Sequence, residues 1–75
     1  MRIQQLKYII KIVETGSMNE ASKHLFVTQP SLSNAVRELE EEMGIKIFTR
    51  STRGITLTSD GVEFLSYARS EEHTS

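Results

Sequence analysis

Apolar positions recur along most of this chain at the 3.6-residue period of an α-helix, and they change period once. Ile3, Leu6, Ile10 and Val13 form a first stripe, widened by Ile9, with Lys7, Lys11 and Glu14 off it. This spacing predicts a helix from Arg2 to Thr15, closed by Gly16 as a residue free to take positive φ. Ser17 then caps a second, short helix, and Glu20 three residues on completes an S-x-x-E capping box. That helix runs from Met18 to about Leu25, with Met18, Ala21, Ser22 and Leu25 facing in. The small Ala21 and Ser22 let another helix approach closely.

Phe26 and Val27 connect to a third helix, capped by Thr28 or Gln29 and carrying Pro30 in its first turn, where a missing N–H costs little. Its buried stripe is Leu32, Val36, Leu39 and Met43, and Gly44 ends it. After Gly44 the pattern becomes β-branched and aromatic. Ile45 to Arg50 suits a strand, Ser51 to Gly54 a turn, and Ile55 to Leu57 a second strand. Thr58 or Ser59 caps a fourth helix, with Asp60 in its first turn, where the helix dipole favours an anion, and Val62, Phe64, Leu65 and Ala68 as apolar contacts. The short turn between helices two and three has the spacing of a helix-turn-helix. The predicted fold is mainly α: a winged helix-turn-helix, with a three-helix core, a two-stranded β-hairpin wing and the start of a linker helix.

The second face of the third helix is unusual. It opens with Thr28, Gln29, Ser31, Ser33 and Asn34, followed by Arg37. Ser and Asn are mediocre helix formers because their side chains compete for backbone hydrogen bonds. Only the second half is acidic, with Glu38 and Glu40 to Glu42. A helix lying in the major groove of DNA cannot bury that face in protein. It needs short polar side chains at its N-terminal end, where free N–H groups and the dipole also favour phosphate. Gln29, Ser31, Ser33, Asn34 and Arg37 can therefore meet DNA, while Glu40 to Glu42 face solvent or a neighbouring helix.

Charge alters this picture only through its distribution. The net charge of −1 by itself argues against a nucleic-acid binder. Residues 1–37, however, carry a net +3, residues 38–42 hold four glutamates, and residues 43–57 carry Lys46, Arg50 and Arg53 with no acid. Two arginines at a hairpin tip favour phosphate contact. Arg37 has two readings, a phosphate contact or an i,i+4 pair with Glu41. The glutamate run has two readings, a solvated helix face or acids that flank the basic footprint, reduce non-specific binding and orient the domain, and the first is preferred. With 75 residues the chain makes one small domain near the size where a single core is only just adequate. It has no cysteine, and therefore no disulfide, thiol nucleophile or Cys-based zinc site. His24 has no cluster at ligand spacing, Ser17 is a cap and no Ser/His/Asp arrangement is visible, which argues against a metal, a cofactor or an enzyme. Tyr8 and Tyr67 read as packing residues. No apolar run approaches a membrane span, and the N-terminus lacks a signal peptide's continuous apolar stretch, so the expected location is cytoplasmic.

The stretches GSMNEASKHLFVTQPSLSNAVRELEEEMGIKIFTR and RGITLTSDG resemble the N-terminal domain of LysR-type transcriptional regulators. The resemblance covers Met1 to about Ala68, and within the family the chain looks most similar to Gram-positive members tied to methionine uptake. It implies a bacterial transcription factor associated with the nucleoid. The family's base-reading positions fall on Gln29, Pro30, Ser31, Ser33 and Asn34, with Thr28 and Arg37 beside them, and its wing positions on Arg50 and Arg53. It further implies double-stranded DNA as partner, with an A·T-rich interrupted inverted repeat as operator. In the full-length protein it implies a homodimer through the fourth helix and a small-molecule effector bound by a further domain absent here. The other class of function for such a fold is a protein-interaction module, which needs an exposed apolar patch on the third helix that the sequence does not offer.

The expected organisation is a DNA-binding domain over residues 1–58 and the start of the linker helix over 59–68. Residues 69–75, RSEEHTS, depart from the family's amphipathic pattern and match one reading frame of a widely used short-read sequencing adapter. They read as a non-native tail.

Overall fold

The computed structural model describes residues 2–52 and 54–74, with side chains described through Tyr67. Four helices and one antiparallel hairpin follow in the order α1 (Ile3–Thr15), α2 (Met18–Leu25), α3 (Gln29–Met43), β1 (Phe48–Ser51), β2 (Gly54–Leu57) and α4 (Ser59–Thr74). The predicted class and element order are those observed. Helices α1, α2 and α3 pack on one another, and α4 rests against β2. The core between them is built from Ile9, Ile12, Leu32, Leu39 and Ile47, all fully buried, with Val36, Phe48, Phe64 and Leu65 around them.

Local chemistry sets the helix ends. Arg2 precedes α1 and donates its N–H to Gln5 Oε1 at 3.0 Å. Gly16 closes α1 at φ 69° and returns its N–H to the Ile12 carbonyl at 2.8 Å. Ser17 caps α2 by accepting the Glu20 N–H at 3.2 Å. Only this forward half of the predicted capping box forms. The Ser17 N–H turns to Thr15 Oγ1 at 3.4 Å, and the Glu20 carboxylate lies 3.8 Å from Lys23 Nζ. Thr28, not Gln29, caps α3 by accepting the Ser31 N–H at 3.2 Å, with Pro30 in the first turn. Gly44 closes α3 at φ 71°. Thr58, not Ser59, caps α4 by accepting the Gly61 N–H at 2.9 Å.

The buried arc of α1 is rotated from the predicted stripe. Its centre is Ile9 and Ile12, while Leu6, Ile10 and Val13 are half-buried and Ile3 is exposed. Because α1 contacts both α2 and α3, the covered arc is set by two neighbours and not by the densest apolar row. Met43 on α3, and Val62 and Tyr67 on α4, are likewise exposed where the sequence pattern predicts contact. Tyr8 is half-buried, and its hydroxyl accepts a hydrogen bond from Gln4 Nε2 at 2.9 Å. Ala68 lies outside the described side chains.

The first strand is shorter than predicted. It begins at Phe48, paired with Leu57, not at Ile45. Residues beyond Leu57 leave the sheet to start α4, so nothing remains for residues 45–47 to pair with. Their polar groups go elsewhere. The Glu40 carboxylate accepts the Ile47 N–H, and Thr58 donates from its hydroxyl to the Lys46 carbonyl and from its N–H to the Ile47 carbonyl at 3.0 Å. Gly61 allows this close approach: a Cβ there would overlap the Ile47 carbonyl and stand 3.1 Å from Leu57 Cδ2.

Candidate nucleic-acid interface

The N-terminal half of α3 is bare on the side away from the core. Leu32, Val36 and Leu39 face inward, and Gln29, Pro30, Ser31, Asn34 and Arg37 are exposed. The helical period produces this division, since positions 29, 33 and 37 lie one turn apart and recede from the Leu32–Val36–Leu39 row. Ser33 is half-buried at the edge, where Arg50 of β1 reaches it: Arg50 Nη2 stands 3.5 Å from Ser33 Oγ. The wing is thus held alongside the same edge of α3 that carries Ser33 and Glu40, two turns apart.

Local hydrogen bonds arrange the polar side chains. Thr28 Oγ1 donates to Ser31 Oγ at 2.8 Å while it caps the helix, so both hydroxyls serve the α3 N-terminus. Arg37 Nη2 donates to Asn34 Oδ1 at 2.9 Å, and Asn34 Nδ2 donates to Glu38 Oε1 at 3.3 Å. Of the two readings of Arg37, the pair with Glu41 does not form among the described residues. The guanidinium donates to Asn34 on the exposed face instead.

Two grooves border this face. The first, a cleft of about 450 Å³, lies between α3 and the wing and is lined by Ser33, Arg37 and Glu40 on one side and Lys46, Phe48 and Arg50 on the other. The second brings Gln29 and Arg50 together with Ser17 and Asn19 at the start of α2. Arg37, Lys46 and Arg50 make no ion pair among the described residues, whereas Lys11 and Lys23 elsewhere are paired with Glu14 and Glu20. Three cations without an ion pair among the described residues, beside an uncharged polar helix face, form a surface suited to a polyanion. Arg53, the other predicted wing contact, lies outside the described residues.

Sequence reasoning missed several residues of this region. Lys46 counts in the sequence only as part of a basic block, yet it lines the cleft with Arg37 and Arg50. Asn19 shares a groove with Gln29, and the signal that could have found it is the α2 N-terminus itself, since free N–H groups attract phosphate. Glu40, read as part of a solvated run, is half-buried and anchors the wing. Among the described residues no group of His, Asp or Glu side chains is arranged to hold a metal. Nor is any described helix long and apolar enough to cross a membrane.

Comparison with known proteins agrees with this geometry. The chain is 44% identical over 69 residues to the HTH-type transcriptional regulator TcbR of Pseudomonas sp. (strain P51), covering 92% of this chain and 24% of that protein. It is 38% identical over 73 residues to the uncharacterized HTH-type transcriptional regulator YxjO of Bacillus subtilis (strain 168), covering 97% of this chain and 25% of that one. The chain therefore spans about a quarter of the length of these curated relatives. Among solved structures, it matches the CbnR DNA-binding domain in complex with DNA with a TM-score of 0.89 at 40% identity, over 99% of this chain and 85% of that one. The BenM DNA-binding domain bound to its catB site 1 DNA matches with a TM-score of 0.89 at 34% identity, over 99% of this chain and 83% of that one. The family model described as bacterial regulatory helix-turn-helix protein, lysR family, matches residues 3–62. The chain belongs to the LysR family of bacterial regulatory helix-turn-helix proteins.

Proposed function

We infer that this domain binds double-stranded DNA sequence-specifically, as the DNA-binding part of a bacterial transcription regulator. α3 enters the major groove, and the wing contacts the flanking backbone or minor groove. The observation that carries this reading is the exposed, uncharged polar half of α3 flanked by the unpaired Arg37, Lys46 and Arg50. The CbnR and BenM neighbours, both solved on DNA, support it. Gln29, Pro30, Ser31, Ser33 and Asn34 face bases. Arg37, Arg50 and Arg53 hold phosphate or the minor groove. Thr28 acts by fixing the first turn of α3.

Val62 and Tyr67 are exposed on α4, at 54% and 69%. Their exposure supports a homodimer through that helix in the full-length regulator, placing two α3 helices on the half-sites of an A·T-rich inverted repeat. Effector binding belongs to a further domain, and the site of action is the bacterial nucleoid in the cytoplasm. The backbone of α4 runs as helix to Thr74. We propose that residues 69–75 stand in place of native linker sequence, which independent genomic reads across the codon for Ala68 will test.

The deciding experiment is selection from a pool of random A·T-rich duplexes across a salt titration. Enrichment of an inverted repeat with a steep salt slope is expected. Absence of binding at low salt would overturn the reading.

A further inference from the structure

Phe26 stands out as a residue the fold does not use. It occupies the turn between α2 and α3 at φ 58°, the one non-glycine residue with positive φ among the described residues. Its N–H bonds to the Lys23 carbonyl at 3.4 Å, and the Val27 N–H bonds to the Ser22 carbonyl at 3.1 Å. This is the Schellman closure of a helix, in which the left-handed position is normally glycine, because a Cβ there crowds the backbone. Glycines fill the equivalent positions after α1 and α3, at Gly16 and Gly44. After α2 the chain carries a large aromatic instead, and its side chain gains nothing inside the domain: Phe26 is 94% exposed. Backbone preference and apolar burial both disfavour Phe at this position, so the ring's partner lies outside the domain.

The position of the ring names that partner. Phe26 sits two residues before Thr28, the cap of α3, at the end of the helix that presents Gln29, Pro30 and Ser31. It adjoins the proposed DNA-facing segment in sequence and is well separated in sequence from the exposed apolar residues of α4. We propose that Phe26 is a further DNA-contacting residue, whose ring packs on the apolar surface of the duplex beside the bases facing Gln29. Two features of DNA offer that chemistry, the 5-methyl group of thymine and the deoxyribose C–H edge. The proposal rests on the DNA-binding reading of α3 and adds to it an uncharged contact from the turn.

The test uses the 75-residue chain, a fluorescently labelled duplex carrying the selected repeat, and Phe26→Asn, since Asn tolerates the left-handed conformation and removes the ring. The expected result is an unchanged or raised melting temperature together with about tenfold weaker DNA binding. The salt slope stays the same, because no charge is lost. A duplex with deoxyuracil in place of thymine separates the two contacts. The Phe26→Asn penalty disappears on it if the ring meets the methyl group, and persists if the ring meets deoxyribose. Equal affinity of Phe26→Asn and the unaltered chain would overturn the proposal while leaving the DNA reading standing. A lowered melting temperature, or loss of a dimer in DNA-free solution, would assign the ring to folding or self-association and overturn it equally. Failure of the unaltered chain to bind any duplex would overturn both readings.

Discussion

The Glu40 carboxylate accepts the backbone N–H of Ile47 at 2.7 Å and that of Phe48 at 3.3 Å through the same oxygen, Oε2. One side chain near the end of α3 thereby holds the segment that leads into the wing. It satisfies two donors that the hairpin cannot pair, since the ladder begins only at Phe48 and Leu57. Replacing Glu40 with Ala leaves both donors half-buried and unmatched. The expected cost is about 1–3 kcal/mol, with Gln recovering part of it. Chemical denaturation measures the loss, and faster amide exchange at Ile47 and Phe48 locates it. Glu41→Ala, on the exposed face, serves as the control and is expected to stay within about 0.5 kcal/mol.

Gly61 is the third residue of α4, within its first turn, where helix propensity alone favours Ala by up to about 1 kcal/mol. The structure reverses that sign. A methyl group at Gly61 would overlap the Ile47 carbonyl, which is itself fixed by the Thr58 N–H. Backbone cannot yield as a flexible side chain can. Gly61→Ala is therefore expected to destabilise the domain by about 1–3 kcal/mol, as overpacking does. A raised melting temperature in this variant would show that α4 can move away from the segment before the wing.

Thr28 tests the difference between holding α3 and reading DNA. Its hydroxyl accepts the Ser31 N–H and donates to Ser31 Oγ, so Thr28→Ala should cost about 1 kcal/mol of stability. Thr28→Ser retains the cap and should restore both stability and DNA binding. If Ser restored stability but not binding, the Thr28 methyl would itself touch DNA.

Arg50, Lys46 and Gln29 separate affinity from preference. Arg50→Ala or Lys46→Ala should weaken binding to every duplex and lower the salt slope by about one for each lost phosphate contact. Gln29→Ala should instead relax base preference, by about 1–3 kcal/mol at the base it reads, with the salt slope intact. Selection on randomised duplexes at several salt concentrations reads both effects at once. Unchanged preference in Gln29→Ala would remove it from the set of base-facing residues.

Most of the element order was legible in the sequence. The bounds of α2 and α3, the closures at Gly16 and Gly44, the Ser17 cap and the Pro30 first turn all depend on residues a few positions apart. Local hydrogen bonds and side-chain period decide such features, and both are written in the sequence. The polar face of α3 was legible for the same reason, since the period that buries Leu32, Val36 and Leu39 exposes Gln29, Asn34 and Arg37. Tertiary structure decided the rest. Ile12 replaces Ile3 in the core because α1 is covered by two helices at once, and Val62 and Tyr67 stay exposed because α4 meets the domain along one side only. Glu40 became an anchor for the wing, Gly61 a point of close approach and Phe26 an unburied ring, each through partners distant in sequence or lacking within the fold. Periodicity tells which residues share a helix face, but which arc of that helix is covered depends on where other elements pack.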